Sequence, residues 1–510
     1  MALVLGLRMQ GSWAIGDTGL NSPGVQRMRD EFVDVLVVGA GLSGIGAACH
    51  LQKLCPDRSF AIVEARQQLG GTWDLFRYPG VRSDSDMHTL GYSFRPWAEP
   101  NAIADGPAIW NYLRDTAREH GVDRKVRFGE RVVRADWSTP ESRWTVQLRR
   151  EDGSSVRIQC MFLFMCCGYY DYAGGYQPEF PGRERFAGPV LDPQHWPQDL
   201  DCTGKRVLVI GSGATAVTLV PALAQTAAHV TMLQRSPTWM VARPSQDPVG
   251  QKLRRWLPLR SALWLIRWKN ILLGLIVVWL CKHKPQRMRD LLLAGVRHAL
   301  GRDADIAKHF TPRYRPWEQR LCLVPDGDFF RAIRCGRASV VTDQIESFTE
   351  AGVRLASGST LEADIIVSAT GLRLMMLGNA EIFVDGRRIE AARTVNYKGV
   401  MASGVPNMAN TFGYTTASWT LKSDLTARYV CRLLNHMGKT GARQCTAPEP
   451  GPDMPLLPWV DFTSGYFQRA LGILPKQGAG KPWKLNQNYL SDVLALRFGS
   501  VNDGVLRFSR

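Results

Sequence analysis

An α/β fold holding two strand–glycine-turn–helix units and a helical insert is predicted from three observations on this 510-residue sequence. A short β-branched run, Val35-Leu36-Val37-Val38, leads directly into Gly39-Ala40-Gly41-Leu42-Ser43-Gly44 and an alanine-rich stretch. The same order returns at Val207-Leu208-Val209-Ile210 and Gly211-Ser212-Gly213-Ala214-Thr215-Ala216. After the second unit comes a segment read as helical, about residues 244–319, in which Trp256, Trp264 and Trp268 precede the uncharged run 271–281. A chain of this length exceeds the roughly 250–300 residues at which one core stops growing, so two or three domains are expected.

Each part of the first unit has a mechanical task. Gly39 permits the tight turn, Gly41 lets a diphosphate approach the backbone, and Gly44 lets helix pack on strand. Phosphates would meet the unsatisfied N–H groups at the helix start, with Ser43 in the same turn. The next strand, Phe60-Ala61-Ile62-Val63, ends in Glu64, placed to accept from ribose hydroxyls and to repel a 2′-phosphate.

The second unit carries the GxGxxA variant, with Gly211, Gly213 and Ala216 at the spaced positions and Ala214 and Thr215 between them. Its following strand, His229-Val230-Thr231-Met232-Leu233, ends in Gln234-Arg235-Ser236. An arginine at that place favours a 2′-phosphate and hence NADP over NAD; the bland alternative is a solvated strand-end charge. Two different dinucleotide sites in one chain imply two cofactors exchanging a hydride, FAD at Glu64 and NADPH at Arg235. The fold class is therefore α/β, with two Rossmann-like dinucleotide-binding domains and a helical insert.

Composition narrows the partners. The net charge of +17 is spread along the chain and confined to no arm or stripe, which argues against nucleic acid. It fits attraction to anionic cofactors and to a membrane surface. The eleven cysteines form no CxxC pair and no Cys/His cluster at zinc spacing, so no metal is expected. Cys166 and Cys167 sit in an apolar run and read as buried small residues. Free thiols without a secretion signal point to a reducing cytoplasm. Residues 1–27 carry no element-forming pattern, and Met28 stands just ahead of the first strand. A disordered or poorly packed leader, with Met28 as the initiator, is the expectation.

Further along come Gly70-Gly71-Thr72-Trp73 and Arg77-Tyr78-Pro79-Gly80-Val81-Arg82-Ser83-Asp84. These segments resemble the GGTW and RYPG…D motifs of Baeyer–Villiger monooxygenases, the class B flavoprotein monooxygenases. Phe186-Ala187-Gly188 and Trp196-Pro197 fit that family's FxGxxxHxxxWP fingerprint, and Ala369-Thr370-Gly371 resembles its ATG segment between the nucleotide domains. The similarity runs from about residue 32 to the C-terminus. Residues 70–86 and 211–235 look most like the ethionamide-activating monooxygenase branch.

The resemblance implies that FAD is held by the first glycine turn together with Gly71, Thr72, Trp73 and Asp84. It implies that Arg320, in Gln319-Arg320, is the catalytic arginine, oriented by Asp84 near the flavin. It further implies reduction of FAD by NADPH, addition of O2 to give a C4a-peroxyflavin, and oxygen insertion beside a ketone carbonyl to form an ester or lactone. Sulfides and thioamides are the expected sulfur-containing substrates. Physically, a carboxylate within reach would grip the guanidinium with two hydrogen bonds and reduce its rotamer freedom. Two departures stand out: Asp192 occupies the fingerprint histidine position, with His195 nearby, and Gln319 replaces a lysine that many relatives use beside the 2′-phosphate. Asp192 making an equivalent hydrogen bond, His195 taking over, and weaker coupling remain the open alternatives.

The implied layout is an FAD domain built from 28–165 and 376–510, an NADPH domain from 166–243 and 320–375, and a helical insert at 244–319. Arg267 and Lys269 interrupt the apolar part of the insert, which leaves it short of the roughly 20 apolar residues a spanning helix needs. A buried helix walling the substrate pocket is the first expectation there. A membrane-surface contact through 256–281 is the second. A flavin monooxygenase restricted to nitrogen or sulfur is the competing activity, and a non-catalytic NADPH-binding flavoprotein is the remote one. A disulfide reductase would need a redox cysteine pair after the first unit, and residues 70–86 hold no cysteine.

Overall fold

A computed structural model describes residues 31–301 and 304–510. The leader reading for residues 1–27 lies outside them. Two separate sheets organise the chain. The larger one centres on strand Glu31–Val38, which pairs in parallel with Phe60–Val63 on one side and Ser155–Met165 on the other. Every residue of Phe60–Val63 is buried, as expected of an apolar run covered on both faces. The strand Ser155–Met165 also closes an antiparallel meander with Arg143–Arg150 and Glu130–Ser138, and its far end receives Met408–Asn410 in parallel. Residues distant in sequence thus complete the sheet that the first glycine turn leaves.

The second sheet is five-stranded and wholly parallel, in the spatial order Ala338–Thr342, His229–Gln234, Arg206–Ile210, Ile365–Ser368 and Val190–Leu191. Helix Leu42–Leu54 leaves the first turn, and helix Ala214–Leu223 leaves the second. Ten residues of the former are buried, several of them against helix Trp419–Thr440 in one core.

The insert departs from expectation. Helix Leu259–His283 runs unbroken for 25 residues, so Arg267 and Lys269 do not divide it. Both charges turn toward the protein. The Arg267 guanidinium donates to the carbonyls of His88 (2.8 Å) and Gly91 (2.7 Å), and Lys269 reaches Asp247. With those charges satisfied inward, the outward face stays apolar. By length and composition the helix could cross a bilayer, yet it lies along the protein beside Met87–Leu90, Pro248–Trp256 and Pro285–Leu300. Only 22% of its most apolar window is buried, so the helix is buried on its inner face alone. None of its residues lines the protein's large cavity, against the expectation of a helix walling the substrate pocket.

Arg267 therefore ties the insert to the first domain, and its Nη2 also lies 4.0 Å from buried Asp424. Arg267→Ala should cost about 3 kcal/mol, because it strips two buried carbonyls and one carboxylate of a cationic partner. Urea unfolding followed by tryptophan fluorescence measures this, and Arg267→Met should lose nearly as much despite keeping the apolar stem. A loss under about 1 kcal/mol would make the contact a surface-grade ion pair.

Candidate functional site

Both glycine turns open on one cavity of about 1100 Å³. Gly39, Gly41, Ser43, Glu64, Gly71, Thr72, Trp73 and Asp84 line it from the first sheet. Gly211, Gly213, Ala214, Thr215, Arg235 and Ser236 line it from the second, and Arg320 lies on the wall between. Of the residues expected to hold the cofactors, only Gly44 and Ala216 stand behind the surface, and their place explains their size. A Cβ on Gly44 would lie 1.8 Å from the Gly39 carbonyl oxygen, so the helix could not seat on the turn. Ala216 is fully buried, and its methyl is tolerated where the first unit has glycine.

The first turn is closed by the GGTW loop. The Gly70 N–H donates to the Ala40 carbonyl at 3.0 Å, and Thr72 Oγ1 lies 3.1 Å from the Tyr172 hydroxyl. Ser43 Oγ accepts from the Trp419 indole at 2.7 Å. Glu64 is buried at its strand end, where it accepts from the Ala40 N–H at 2.7 Å and the Arg66 N–H at 2.9 Å. Burial pushes its carboxyl up, and the two N–H groups pull it down. The carboxylate thus braces the glycine turn besides facing the cavity.

On the other side, Gly211 has φ +132°, and a Cβ there would stand 2.2 Å from the Ala369 carbonyl oxygen. Ser212 Oγ donates to the Ser236 carbonyl at 2.9 Å, joining the turn to the end of the next strand. Arg235 is exposed at that end and makes no ion pair among the described residues. A free guanidinium beside an open glycine turn suits a phosphate monoester, and the space beyond Gly213 is clear. The residues present therefore fit FAD on one side and NADP on the other.

Between the turns, Arg320 Nη2 lies 2.7 Å from Asp84 Oδ2, and Nη1 donates to the Thr415 carbonyl at 3.3 Å. The two-pronged grip by Asp84 does not form: one nitrogen meets the carboxylate and the other a backbone oxygen supplied by the C-terminal part. Burial works against the guanidinium charge, but Asp84 and the phenols of Tyr466, Tyr169 and Tyr170 raise its pKa, so it stays cationic.

Asp192 and His195 both touch the linker between the sheets. Asp192 accepts from the Gly175 N–H and the Gln194 N–H, each at 2.9 Å, while His195 Nε2 lies 3.2 Å from the Tyr172 carbonyl. Cys166 is buried as expected, but Cys167 is only partly so and lines the cavity. Burial pushes its thiol up to about 12.

Several cavity residues left no mark in the sequence. Arg469 lies 3.7 Å over the Tyr176 ring and is close enough to Arg235 to have its pKa lowered by it, after the larger effect of burial. Tyr169 stacks on Trp419 at 5.1 Å, and its hydroxyl donates to that of Tyr170 at 3.2 Å. None belongs to a spaced motif, and only the folding back of the C-terminal part brings Arg469, Trp419 and Tyr466 here.

A cavity shared by two dinucleotide turns, with a fixed arginine between them, defines a flavoprotein oxidoreductase that also binds a nicotinamide cofactor. The chain belongs to the FMO-like, flavin-binding monooxygenase-like family, whose model matches residues 33–443. It is an FAD-containing, NADP-using monooxygenase. It is similar to the FAD-containing monooxygenase EthA of Mycobacterium tuberculosis, 54% identical over 481 residues, 94% of this chain and 98% of that protein. In fold it resembles oxidized steroid monooxygenase bound to NADP, with TM-score 0.73 and 22% identity over 94% of this chain and 99% of that one. The open crystal structure of cyclohexanone monooxygenase aligns with TM-score 0.72 and 19% identity over 94% and 100% of the two chains.

Arg235→Ala should raise the KM for NADPH by about 10- to 100-fold, since a hydrogen bond to a charged group is worth roughly 1.5–3 kcal/mol. The KM for NADH should barely move. Steady-state oxidation of the two cofactors compares them, and equal losses would place the 2′-phosphate elsewhere.

Proposed function

We propose that the enzyme uses NADPH and O2 to insert one oxygen atom beside a ketone carbonyl, giving an ester or lactone, and that it also oxidises sulfides or thioamides. The observation that carries this reading is the Arg320–Asp84 pair on the wall of the cavity that both glycine turns share. A structural neighbour named for cyclohexanone supports the ketone. Bound FAD would supply the activation of O2 with electrons taken from NADPH, and the protein would supply position, charge and dryness.

In this reading Gly39, Gly41, Ser43 and Glu64 hold FAD, joined by Gly71, Thr72, Trp73 and Asp84, while Gly44 serves the same site from behind by seating the helix on the turn. Gly211, Gly213, Ala214 and Thr215 hold the NADPH diphosphate, with Ala216 packing the helix behind them, and Arg235 and Ser236 hold the 2′-phosphate. Arg320 presents a permanent positive charge where negative charge develops on oxygen as a carbonyl is attacked. Asp84 and the Thr415 carbonyl fix two of its nitrogens in different directions, so it meets the substrate already oriented. Tyr169, Tyr170 and Trp419 narrow the wall and keep water from the reacting centre. The same reading assigns FAD to 28–165 and 376–510, NADPH to 166–243 and 320–375, and the helical insert to 244–319. It places the enzyme in the cytoplasm, which eleven unpaired thiols support, with a membrane-surface contact through 256–281.

The second reading, a monooxygenase restricted to nitrogen or sulfur, draws on Tyr170. Burial pushes that phenol up, so it remains a proton donor beside Arg320, as attack by a sulfur lone pair would require.

Arg320→Ala should retain FAD, because the first turn and Glu64 are untouched. Its ester product from a ketone should fall by roughly 10²–10³. Arg320→Lys should recover little, since a compact ammonium lacks the planar fork whose two nitrogens meet Asp84 and the Thr415 carbonyl. Product analysis by gas chromatography on a panel of ketones and sulfides checks this. Sulfoxide without any ester from the native enzyme would establish the second reading, and a near-native ester rate in Arg320→Ala would remove this residue from the mechanism.

A further inference from the structure

Helix Leu259–His283 turns to solvent an apolar stripe that nothing among the described residues covers. Trp264, Leu265, Leu272, Leu273, Ile276 and Trp279 are each between 38% and 60% exposed. Trp256 before it and Leu291 after it are more exposed still. Scattered exposed leucines need no explanation, but a contiguous stripe of this kind marks an interaction surface.

The charges around the stripe say what it meets. Residues 248–300 hold eleven lysines and arginines and one acid, Asp290, which is more than half of the chain's net charge of +17. Arg267 and Lys269 face the protein. Lys252, Arg255 and Arg260 near one end, and Lys282, Lys284 and Arg287 near the other, are exposed and make no ion pair among the described residues. A second copy of the chain would bring the same unpaired cations to a two-fold interface, where they would repel. An anionic surface would instead neutralise both ends while the stripe entered its apolar part. Tryptophans near the ends with leucine and isoleucine between match a helix lying in the headgroup plane.

We propose that the outward face of helix Leu259–His283 docks on an anionic lipid bilayer, and that the site draws an apolar ketone or sulfide from that lipid. The docking stands on the helix alone; the supply of substrate rests on the oxygenation reading. The inner face of the helix gives the link. Ile271 packs with Tyr414 and Leu421, with Leu275 and Ala417 alongside, and Tyr414 and Ala417 line the cavity. The helix and the layer of Tyr414 and Ala417 behind it therefore separate the lipid from the site.

The test uses the full-length FAD-loaded enzyme with vesicles of phosphatidylcholine alone or mixed with phosphatidylglycerol. The enzyme should sediment with the anionic vesicles at low salt and leave them as salt rises. The variant Leu272→Ser/Ile276→Ser/Trp279→Ser should lower the bound fraction by at least about tenfold, since it removes three buried apolar side chains from the lipid contact. Its flavin absorbance and its turnover of acetone should be unchanged. Turnover of a long-chain methyl ketone dissolved in the vesicles should fall with the bound fraction. Equal binding to neutral and anionic vesicles, or no loss of binding in the triple variant, would overturn the docking. So would a dimer in sedimentation velocity that the triple variant dissolves, since the face would then belong to a second copy. Long-chain turnover indifferent to vesicles would overturn the supply route. Vesicle binding with no product from either ketone would uphold the docking and remove the ketone reading.

Discussion

Everything at the site depends on the pairing of two segments that pass between the sheets. Residues 166–176 leave the first sheet and residues 369–376 leave the second, and they bond where they cross. The Tyr176 N–H donates to the Gly371 carbonyl at 2.8 Å, Asp171 N–H to Arg373 at 3.0 Å, and Met375 N–H to Tyr169 at 2.9 Å. This short ladder sets how the two glycine turns face one another across the cavity. Gly211 is pinned beneath Ala369, so the second turn is built against the same crossing. A dinucleotide turn can form alone, but a shared cavity requires that two of them be held at a fixed separation.

Asp192 belongs to that constraint. Its carboxylate holds the Gly175 N–H in the first segment, and His195 touches the Tyr172 carbonyl three residues earlier. A carboxylate accepting two backbone N–H groups anchors the segment with charge-assisted hydrogen bonds. The unexpected aspartate thus has a defined partner in the linker, and the histidine three places on adds a second.

Charge is used differently on the two sides of the molecule. Inside, each positive group is fixed by named acceptors: Arg320 by Asp84 and the Thr415 carbonyl, Arg267 by two carbonyls near Asp424. In the oxygenation proposed for this site, fixing the guanidinium in advance would lower the reorganisation needed as negative charge appears beside it. On the outside of the insert, six exposed cations make no ion pair among the described residues and stay available to an external anionic surface. The single contact between Arg320 and Asp84 leaves the cavity-facing edge of the guanidinium less enclosed than a two-pronged grip would.

Local physics was enough to read both glycine turns, their strands and the two strand-end residues. A tight turn, a diphosphate and a helix start must be satisfied within a few consecutive residues, so Gly39, Gly44, Glu64, Gly211 and Arg235 were visible in order along the chain. Arg320 and Asp84 needed a family resemblance, because nothing within either segment requires an ion pair 236 positions apart. The apolar stretch of the insert reads as too short because the sequence shows that Arg267 and Lys269 are charged but not which way they point. Arg469, Trp419, Tyr466 and the Thr415 carbonyl escaped altogether, since each reaches the cavity only after the C-terminal part folds back on the first sheet. The sequence by itself determined the two nucleotide units, whose chemistry is local. Only the tertiary structure decided which distant residues face the space between them, because that depends on crossings and packing that no window of sequence contains.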